Sequence, residues 1–312
     1  MAIANTTTQT LYDRRYSLTI GDYQTGNGIL LTSEDTDRPL QITFEVSKTS
    51  DIKNKSGNTA TIEVYNLSRE EQRLLDSQYL NTELRVGYNN EDGLRLIATG
   101  NITESSTRKI GTDTITQLQI GEGYVSLRDS RLSQNLSPGQ TVADVIRTIT
   151  DAMPEIARGP IVGTNLNNPI VHGWRLSGNA REELDKITKA YGLEYSISNN
   201  VLIVTEVNQP SSKDVVNVPV INEATGMIDT PFRTTERLRL SKKDKRTRPA
   251  VQVKTLLNPS FLVSSVVRIE SEEITGYFRI NSLRYTGDFR GNPWYAELQC
   301  SEMNATDITV LE

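Results

Sequence analysis

Short segments in which apolar and polar residues alternate recur through this sequence and constrain its fold more than any other feature. In 59–65, Ala60, Ile62 and Val64 alternate with polar neighbours, which is the pattern of a strand with one buried face. Turn clusters such as NNEDG separate it from similar segments, which are 40–46, 84–88, 94–102 and 114–120. These segments predict a compact β-barrel or sandwich up to residue 125.

A short helix interrupts the pattern directly after the strand at 59–65. The Ser68 hydroxyl can cap the first turn while Glu71 reaches back to the Ser68 amide, and this capping box predicts a helix over 69–76. Leu74 and Leu75 give the helix little apolar surface of its own, so it must lie against a larger body. We expect these two leucines to be either interface or core residues.

Composition and periodicity change at residue 126. Apolar residues with helical spacing predict amphipathic helices over 142–153 and 179–191. The segment after them predicts a β-hairpin that turns at Asn199 and Asn200, because asparagine tolerates left-handed backbone. We therefore predict a small mixed α/β module over 126–210.

Strand-like segments return after residue 219 and repeat the order of the first part. TATIEVYNLSREEQRLL followed by TELRVGY aligns loosely with AVQVKTLLNPSFLVSS followed by VVRIES, and the strand, turn, strand layouts that follow also match. A turn at Asn258 and Pro259 replaces the short helix in the second copy. We interpret this as an internal duplication with one decorated copy, and chance similarity between two β meanders is the alternative.

Composition excludes several classes of protein. The net charge is −5 and the pI is about 5.3, which argues against a protein whose main task is to bind nucleic acid. No apolar run approaches the ~20 residues that span a bilayer, so no membrane anchor is expected. No secretory signal is recognisable, which favours the cytosol. Cys300 is the single cysteine and is expected to be an inert buried thiol.

One basic segment differs from the acidic remainder. Residues 238–249 concentrate basic side chains, among them Lys242, Lys243 and Arg246, with no aromatic residue between them for base stacking. A solvated loop is one interpretation, and a docking patch for an acidic partner or a nucleic acid is the other. The three residues are therefore candidate interface residues.

The sequence lacks most of the parts that catalytic sites need. His172 is the single histidine and has no cysteine near it, so the common zinc and triad arrangements lack their usual ligands. Neither GxGxxG nor GxxxxGK[ST] occurs, so no nucleotide site is indicated. We predict no catalytic residues, no cofactor and no metal.

Two alternatives that involve glycans remain open. Glu270, Glu272 and Glu273 could supply a carboxylate pair for glycan cleavage, although exposed charge in such a strand-turn region commonly discourages wrong strand pairing. Trp174 and Trp294 could stack on sugars, which would suit a carbohydrate-binding β protein. Core or interface packing of both tryptophans is the competing interpretation.

The order of these segments resembles that of baseplate hub proteins of tailed bacteriophages, of the contractile-tail type. The resemblance covers about residues 40–303 and depends on an ordered set: ITFEVSK, NTATIEVYNLS with its short helix, ELRVGY, SPGQTVADVIRTI, LSGNAREELDKITKAYGLEYSI, VKTLLNPS and GYFRINSLRYTGD. No motif in the set is specific by itself, and the sequence leaves open whether the tail contracts.

The resemblance implies a structural role without enzymatic activity, in the virion baseplate after assembly in the host cytoplasm. Three copies would form a ring of six pseudo-equivalent barrels that adapts the sixfold tail tube to a threefold spike. The implied partners are two further copies, the tail tube protein or a tube-end adaptor, the central spike protein, other baseplate proteins and the tape measure protein. DNA would pass through the channel without specific binding, which an acidic protein suits.

The complete prediction is a mainly β fold with a minor α+β part. We predict an N-terminal arm over 1–36, a first tube-like β-barrel over 37–125, the α/β module over 126–210, and a second tube-like barrel with a C-terminal tail over 211–312. The arm is expected to order only on assembly, because its sequence is polar and matches no pattern that we recognise. Leu74, Leu75, Trp174 and Trp294 complete the candidate interface residues.

Overall fold

A computed structural model describes residues 13–34, 38–50, 58–75, 79–89, 93–212, 214–216, 218–237, 247–303 and 309–311. Strands predominate among these residues and helices are few and short, which confirms the predicted mainly β fold. No helix in the described part of the chain is long and apolar enough to cross a membrane.

The N-terminal part contains seven strands and one helix. They are β1 (Arg14–Asp22), β2 (Asn27–Thr32), β3 (Ile42–Thr49), β4 (Thr59–Tyr65), α1 (Arg69–Leu74), β5 (Asn81–Tyr88), β6 (Leu94–Ile110) and β7 (Asp113–Gly121). The Ser68–Glu71 capping box starts α1 as predicted. β6 has 17 residues and continues well past the predicted end at Ile102, because the polar run TESSTRKI carries no alternation to mark a strand.

The first two strands correct the prediction of an N-terminal arm. β1 pairs antiparallel with both β2 and β5, and its side chains Tyr16, Leu18 and Ile20 are buried in the core. YSLTI has the same period-two alternation as the strands that follow it. The predicted arm over 1–36 is therefore wrong for residues 14–32, while residues 1–12 lie outside the described part.

The middle part contains the α/β module. Its elements are α2 (Tyr124–Asp129), β8 (Arg131–Leu136), α3 (Val142–Asp151), β9 (Ala157–Val162), β10 (Trp174–Asn179), α4 (Ala180–Tyr191), β11 (Leu193–Ser198) and β12 (Val201–Glu206). β11 and β12 form the predicted hairpin, and Asn199 and Asn200 have φ values of 54° and 61° in its turn. Both predicted helices and the predicted hairpin are confirmed.

The C-terminal part returns to strands. They are β13 (Asp214–Val216), β14 (Val220–Ile221), β15 (Phe232–Arg237), β16 (Thr247–Leu256), β17 (Val266–Glu270), β18 (Thr275–Asp288), β19 (Trp294–Glu302) and β20 (Thr309–Leu311). β13 and β20 form a separate parallel pair.

The strand order is repeated in the two parts, as the predicted internal duplication requires. In the first repeat, β3 to β7, the strands lie in the order β3-β4-β7-β6-β5, and in the second repeat, β15 to β19, they lie in the equivalent order β15-β16-β19-β18-β17. The two repeats are joined because β3 pairs with β18, which makes one continuous antiparallel path. The additional strands β1 and β14 extend the far side of each repeat by pairing with β5 and β17.

Two hydrophobic cores hold the chain together. The larger core contains buried side chains from both repeats, including Ile62, Leu118, Phe278 and Leu298, and the strands β1 and β2 contribute to it. The smaller core belongs to the α/β module and is built around α3, α4 and β12. The predicted boundaries of the α/β module, at residues 126 and 210, remain predictions.

Candidate assembly surface

The pairing of β3 with β18, here called the seam, joins the two repeats. It comprises seven residue pairs, from Thr43 opposite Asp288 to Thr49 opposite Ser282. Phe44 of β3 packs over Gly287 of β18, where any Cβ atom would overlap the phenyl ring. The seam therefore depends on the absence of a side chain at one position of β18.

The N-terminal strand β1 holds the turn that follows the seam. Arg14 Nη1 donates hydrogen bonds to the Asp288 and Gly291 carbonyls at 3.0 and 2.5 Å, and Nη2 donates to the Asn292 carbonyl at 3.1 Å. The Arg14 guanidinium also lies 5.5 Å from the centroid of the Trp294 ring. Residues predicted as part of an arm thus stabilise the contact between the repeats.

One face of the continuous path is polar and crosses the seam without interruption. We define this polar face by the alternate residues that point away from the core: Glu45, Glu63, Arg108, Gln117, Gln119, Gln252, Lys254, Arg284 and Glu297. Salt bridges link strands here, at 2.6 Å between Arg284 of β18 and Glu45 of the adjacent β3, and at 3.0 Å between Arg108 of β6 and Glu63 of β4, across the intervening β7. The face carries both signs of charge in closely paired positions.

The long strands of the two repeats have the same irregularity but different partners. The β6–β7 register shifts between Ile102 and Glu104, and the β18–β19 register shifts between Ile280 and Ser282, so both repeats have a bulge at the equivalent place. Beyond its bulge, β18 pairs with β3 on its second edge. The equivalent residues 104–110 of β6 have no strand on that edge within the described part of the chain.

The first strands of the two repeats, β3 and β15, also differ in the number of strands that pair with them. β3 pairs with β4 on one edge and with β18 on the other. Its equivalent β15 pairs with β16 alone among the described residues, and Phe232 on this strand is 54% exposed. Within the described part of the chain, residues 104–110 of β6 and the outer edge of β15 therefore have no paired strand, one such edge in each repeat.

A buried lysine connects the first repeat to the α/β module. Lys48 Nζ in β3 lies 2.9 Å from Glu122 Oε1, and both side chains are nearly inaccessible, at 2% and 3% exposure. The same ammonium group donates hydrogen bonds to Ser198 Oγ at 3.1 Å and Asn199 Oδ1 at 2.8 Å. The turn of the module hairpin is thus fixed to β3 by a charge that is paired and hydrogen-bonded.

A buried arginine connects the second repeat to the same module. The Arg279 guanidinium in β18 forms a salt bridge with Glu194 of β11 and donates to Ser264 Oγ and Asn281 Oδ1 at 2.8 and 2.7 Å. Burial raises the pKa of the Glu194 carboxyl, and the positive charge of Arg279 opposes that rise. Both repeats are therefore held to the module by buried ionic contacts that sequence analysis did not identify.

The structure places the predicted interface residues in different environments. Leu75 is 5% exposed in the main core and Leu74 packs against that core, so the core alternative applies to Leu75. Trp294 is 1% exposed, so the prediction of an interface role is wrong for it. Trp174 is half-buried on the smaller core, with its ring centroid 6.5 Å from that of Tyr191, and its interface role stays a prediction.

The structure says less about the other residues that the sequence singled out. Lys242, Lys243 and Arg246 lie outside the described residues. Cys300 is fully buried, which confirms the predicted buried thiol, and burial raises its pKa. His172 is exposed.

Two of the groups that supported the glycan alternatives, Glu270 and Trp294, are occupied or buried, while Glu272 and Glu273 are exposed. Glu270 lies 2.8 Å from the Arg268 guanidinium and accepts a hydrogen bond from Asn222 Nδ2 at 3.2 Å. Trp294 cannot stack on a sugar, because its indole is enclosed by the core. In the described part of the chain, no group of three or more His, Cys, Asp or Glu side chains could hold a metal ion.

Sequence analysis missed the distal half of β6 and its edge, which are central to this surface. The segment RKIGTD is typical of a turn, and Gly111 adopts a left-handed φ of 61° in the β6–β7 turn. A turn of this kind between two strands indicates that both strands reach it. That signal could have extended the prediction for β6 from Ile102 to Ile110.

Comparison with known proteins gave one family and several similar folds. A family model described as Baseplate hub gp41 matches residues 22–300. No curated protein matches the chain.

Three solved structures illustrate the similarity in fold. The tail protein from Neisseria meningitidis MC58 is 12% identical, with a TM-score of 0.60 over 93% of this chain and 97% of that one. The 43 kDa tail protein of prophage MuSo2 from Shewanella oneidensis is 9% identical, with a TM-score of 0.60 and the same coverage. The E. coli c3393 protein, a type VI secretion component described as structurally similar to T4 tail proteins gp27 and gp5, is 10% identical, with a TM-score of 0.56 over 92% and 77%.

Proposed function

This chain belongs to the Baseplate hub gp41 family and is a structural protein of the phage tail, and from that premise we propose that three copies form a ring around the tail axis. The ring adapts a sixfold tail tube to a threefold spike. It leaves an axial channel for the tape measure protein and then DNA.

The observation that carries this proposal is the duplication of strand order within one continuous path. Each copy presents two equivalent five-strand repeats side by side, so a threefold ring presents six. A sixfold partner can then make six nearly equivalent contacts with only three copies. Closed cyclic symmetry is the usual way in which identical subunits reach a finite assembly.

The polar face suits the wall of the channel. The opposite face of the path is filled by the main core, and on that face Lys48 reaches the α/β module. The polar face instead carries side chains whose charges are compensated locally, as in the pairs of Glu45 with Arg284 and of Glu63 with Arg108. Paired charges give DNA phosphates no continuous basic stripe to bind, so nucleic acid can pass without being retained.

The proposed partners are the tail tube protein or a tube-end adaptor, the central spike protein, other baseplate proteins and the tape measure protein. Family membership supports these partners, because a hub lies where the tube and the baseplate meet. We propose that the protein has no enzymatic activity. Cleavage of peptidoglycan by the purified protein, abolished by Glu270→Gln, would contradict a purely structural role.

The test is electron microscopy of intact particles, with the tail tip classified without imposed symmetry. We expect three copies around an open axial channel, with the polar face directed towards the axis. A single copy projecting outward, or a ring with its polar face directed outward, would overturn the proposal.

A further inference from the structure

A buried lysine, a carboxamide and a carboxylate meet where the turn of the module hairpin touches the first repeat. Lys48 Nζ donates a hydrogen bond to Asn199 Oδ1 at 2.8 Å and lies 2.9 Å from Glu122 Oε1. The Lys48 and Glu122 side chains are only 2% and 3% exposed. A nucleophilic amine, a carboxamide and a group that can carry protons are the parts needed to join a lysine to an asparagine.

We propose that Lys48 and Asn199 react to form an amide bond between their side chains, with Glu122 as the proton carrier and ammonia as the leaving group. The bond links β3 of the first repeat to the β11–β12 turn of the α/β module. The reaction takes place within one chain, so it does not depend on assembly of the proposed ring.

The amine is within reach of the carbon atom that it attacks. Because a carbonyl bond is about 1.23 Å long, an oxygen 2.8 Å from Lys48 Nζ places Asn199 Cγ no more than about 4.0 Å away. Reacting atoms in a near-attack geometry are about 3–3.5 Å apart. The terminal torsion of an asparagine side chain is broad, so the flat face of the carboxamide can rotate towards the amine. A small movement therefore converts this hydrogen bond into an approach for nucleophilic attack.

Asn58 holds the carboxylate in position for its role. Asn58 Nδ2 donates hydrogen bonds to Glu122 Oε2 at 2.9 Å and to the Ile197 carbonyl at 2.6 Å. Asn58 Oδ1 accepts a hydrogen bond from the Thr49 amide at 2.9 Å. One carboxylate oxygen is thus bound to Asn58 while the other faces the ammonium group. Asn58 is a positioning residue, because both ends of its own carboxamide are engaged.

The ion pair of Lys48 with Glu122 is the state of the chain before the bond forms. The reaction begins with transfer of a proton from the ammonium group to the carboxylate. Both groups lie away from water, so this transfer replaces two buried charges by two neutral groups. The free amine then uses its lone pair to form a bond to Asn199 Cγ, and the π electrons of the carbonyl move onto Oδ1.

Glu122 completes the reaction by exchanging one proton for another. It donates its proton to Asn199 Nδ2 and accepts one from the attacking nitrogen. The carbonyl double bond forms again, the Cγ–Nδ2 bond breaks, and its electron pair leaves with the nitrogen as ammonia. The products are a neutral amide, a protonated Glu122 and one ammonia molecule. No oxidant, reductant or cofactor is consumed, and no buried charge remains.

The amide closes a covalent loop that a disulfide cannot close in this chain. Residues 48 and 199 are 151 positions apart, and Cys300 is the single cysteine. A link across so long a segment restricts the unfolded chain, as a disulfide does. An amide differs from a disulfide in that reductant does not break it. The module therefore stays attached to the first repeat under reducing conditions.

Mass spectrometry of the purified chain tests the proposal. We expect the intact protein to be lighter than its sequence requires by one ammonia molecule, and tryptic digestion to give a peptide containing Lys48 joined to one containing Asn199. Full mass after prolonged incubation of the folded protein at neutral pH overturns the proposal. Loss of ammonia without joined peptides also overturns it, since an asparagine that cyclises onto its own backbone releases ammonia too.

Substitutions at the two positions of the hairpin turn make the result specific. Asn199→Gly tolerates the left-handed φ of 54° and removes the carboxamide, so this variant should have full mass and no joined peptides. Asn200→Gly is the matched control, because φ is 61° at this position in the same turn, and it should keep the joined peptides. A cross-link kept in Asn199→Gly and lost in Asn200→Gly assigns the reaction to the other asparagine and overturns the proposal.

A third variant tests the proton carrier. Glu122→Gln keeps the size of the side chain but cannot accept the proton, so the joined peptides should form about 100-fold more slowly or not at all. Bond formation at the unchanged rate would overturn the role of Glu122. Circular dichroism identifies the variants that fold. The peptide map of the unsubstituted chain decides whether the bond exists even if a variant does not fold.

Discussion

Phe44 of β3 and Trp294 of β19 lie edge to face across the junction of the two repeats, with ring centroids 5.3 Å apart and an interplanar angle of 73°. One ring comes from each repeat, so this contact ties the repeats together inside the core rather than at a surface. Trp294, which was predicted as an interface residue, instead packs between the two repeats.

Gly287 should be indispensable to this contact. A Cβ atom at this position would overlap the Phe44 ring, so we expect Gly287→Ala to lower the free energy of unfolding by about 1–3 kcal/mol. Urea unfolding followed by tryptophan fluorescence measures the change. In the background of Phe44→Ala the overlap is gone, so the same glycine substitution should then cost much less; equal costs in both backgrounds would contradict the assignment.

Lys48 and Glu122 should show strong energetic coupling. Removing one partner leaves the other charge buried and unpaired, so Lys48→Met is expected to cost about 3–5 kcal/mol. Lys48→Met with Glu122→Gln should recover part of that loss, since no uncompensated charge then remains. A double-mutant cycle from urea unfolding gives the coupling, and additive effects of the two substitutions would show that the ammonium and carboxylate act independently.

Asp144 should make stability depend on pH at the start of α3. Hydrogen bonds from the backbone and side chain of Thr141 hold the pKa of Asp144 below its usual value, so the ionised form stabilises the folded state. This stability is complete above the ordinary aspartate pKa of about 3.9 and is lost as the pH falls through the lowered value. Asp144→Asn should therefore cost about 1 kcal/mol at pH 7 and much less near pH 2.

Unfolding curves of this variant at the two pH values provide the check. Asp151 lies at the other end of α3 and forms an exposed salt bridge with Arg158. Asp151→Asn is thus a suitable control, expected to cost no more than about 0.5 kcal/mol. An equal loss for Asp144→Asn at both pH values would mean that its charge has no part in the cap.

The charge of the polar face should affect DNA ejection, if the face lines the channel as proposed. Glu45→Lys with Glu63→Lys reverses the charge at two positions and breaks two surface ion pairs, which contribute little to stability. We expect normal assembly and slower ejection, because the new basic groups bind phosphates, and we expect added salt to restore the rate. Glu302→Lys, beside the exposed Arg233, is the control. Unchanged ejection in the double variant would argue against a channel wall here.

Cys300 should report on opening of the second repeat. The thiol is fully buried and burial raises its pKa, so little thiolate is available to react. We expect no labelling by a thiol reagent in the native protein and complete labelling in urea, followed by mass spectrometry. Rapid labelling under native conditions would mean that β19 separates from its neighbours far more readily than its full burial indicates.

Local features of the fold could be predicted because their causes are local. The capping box at Ser68 and Glu71 and the left-handed turn at Asn199 and Asn200 each depend on residues within a few positions of one another. The core-facing side of β4 follows from period-two alternation in the same way. The prediction of an N-terminal arm was wrong because the alternation in YSLTI, which forms part of β1, was not counted among the strands of the first barrel.

The sequence by itself determined the mainly β class, the two helices of the module, the repeated order of strands and the resemblance to phage hubs. The tertiary structure alone decided that β3 pairs with β18, that Trp294 is a core residue, and that β15 and residues 104–110 of β6 each have an edge with no paired strand among the described residues. The physical reason is that alternation fixes which face of a strand is buried but not which strand lies beside it. Phe44 and Trp294 meet only because pairing brings together segments about 250 positions apart.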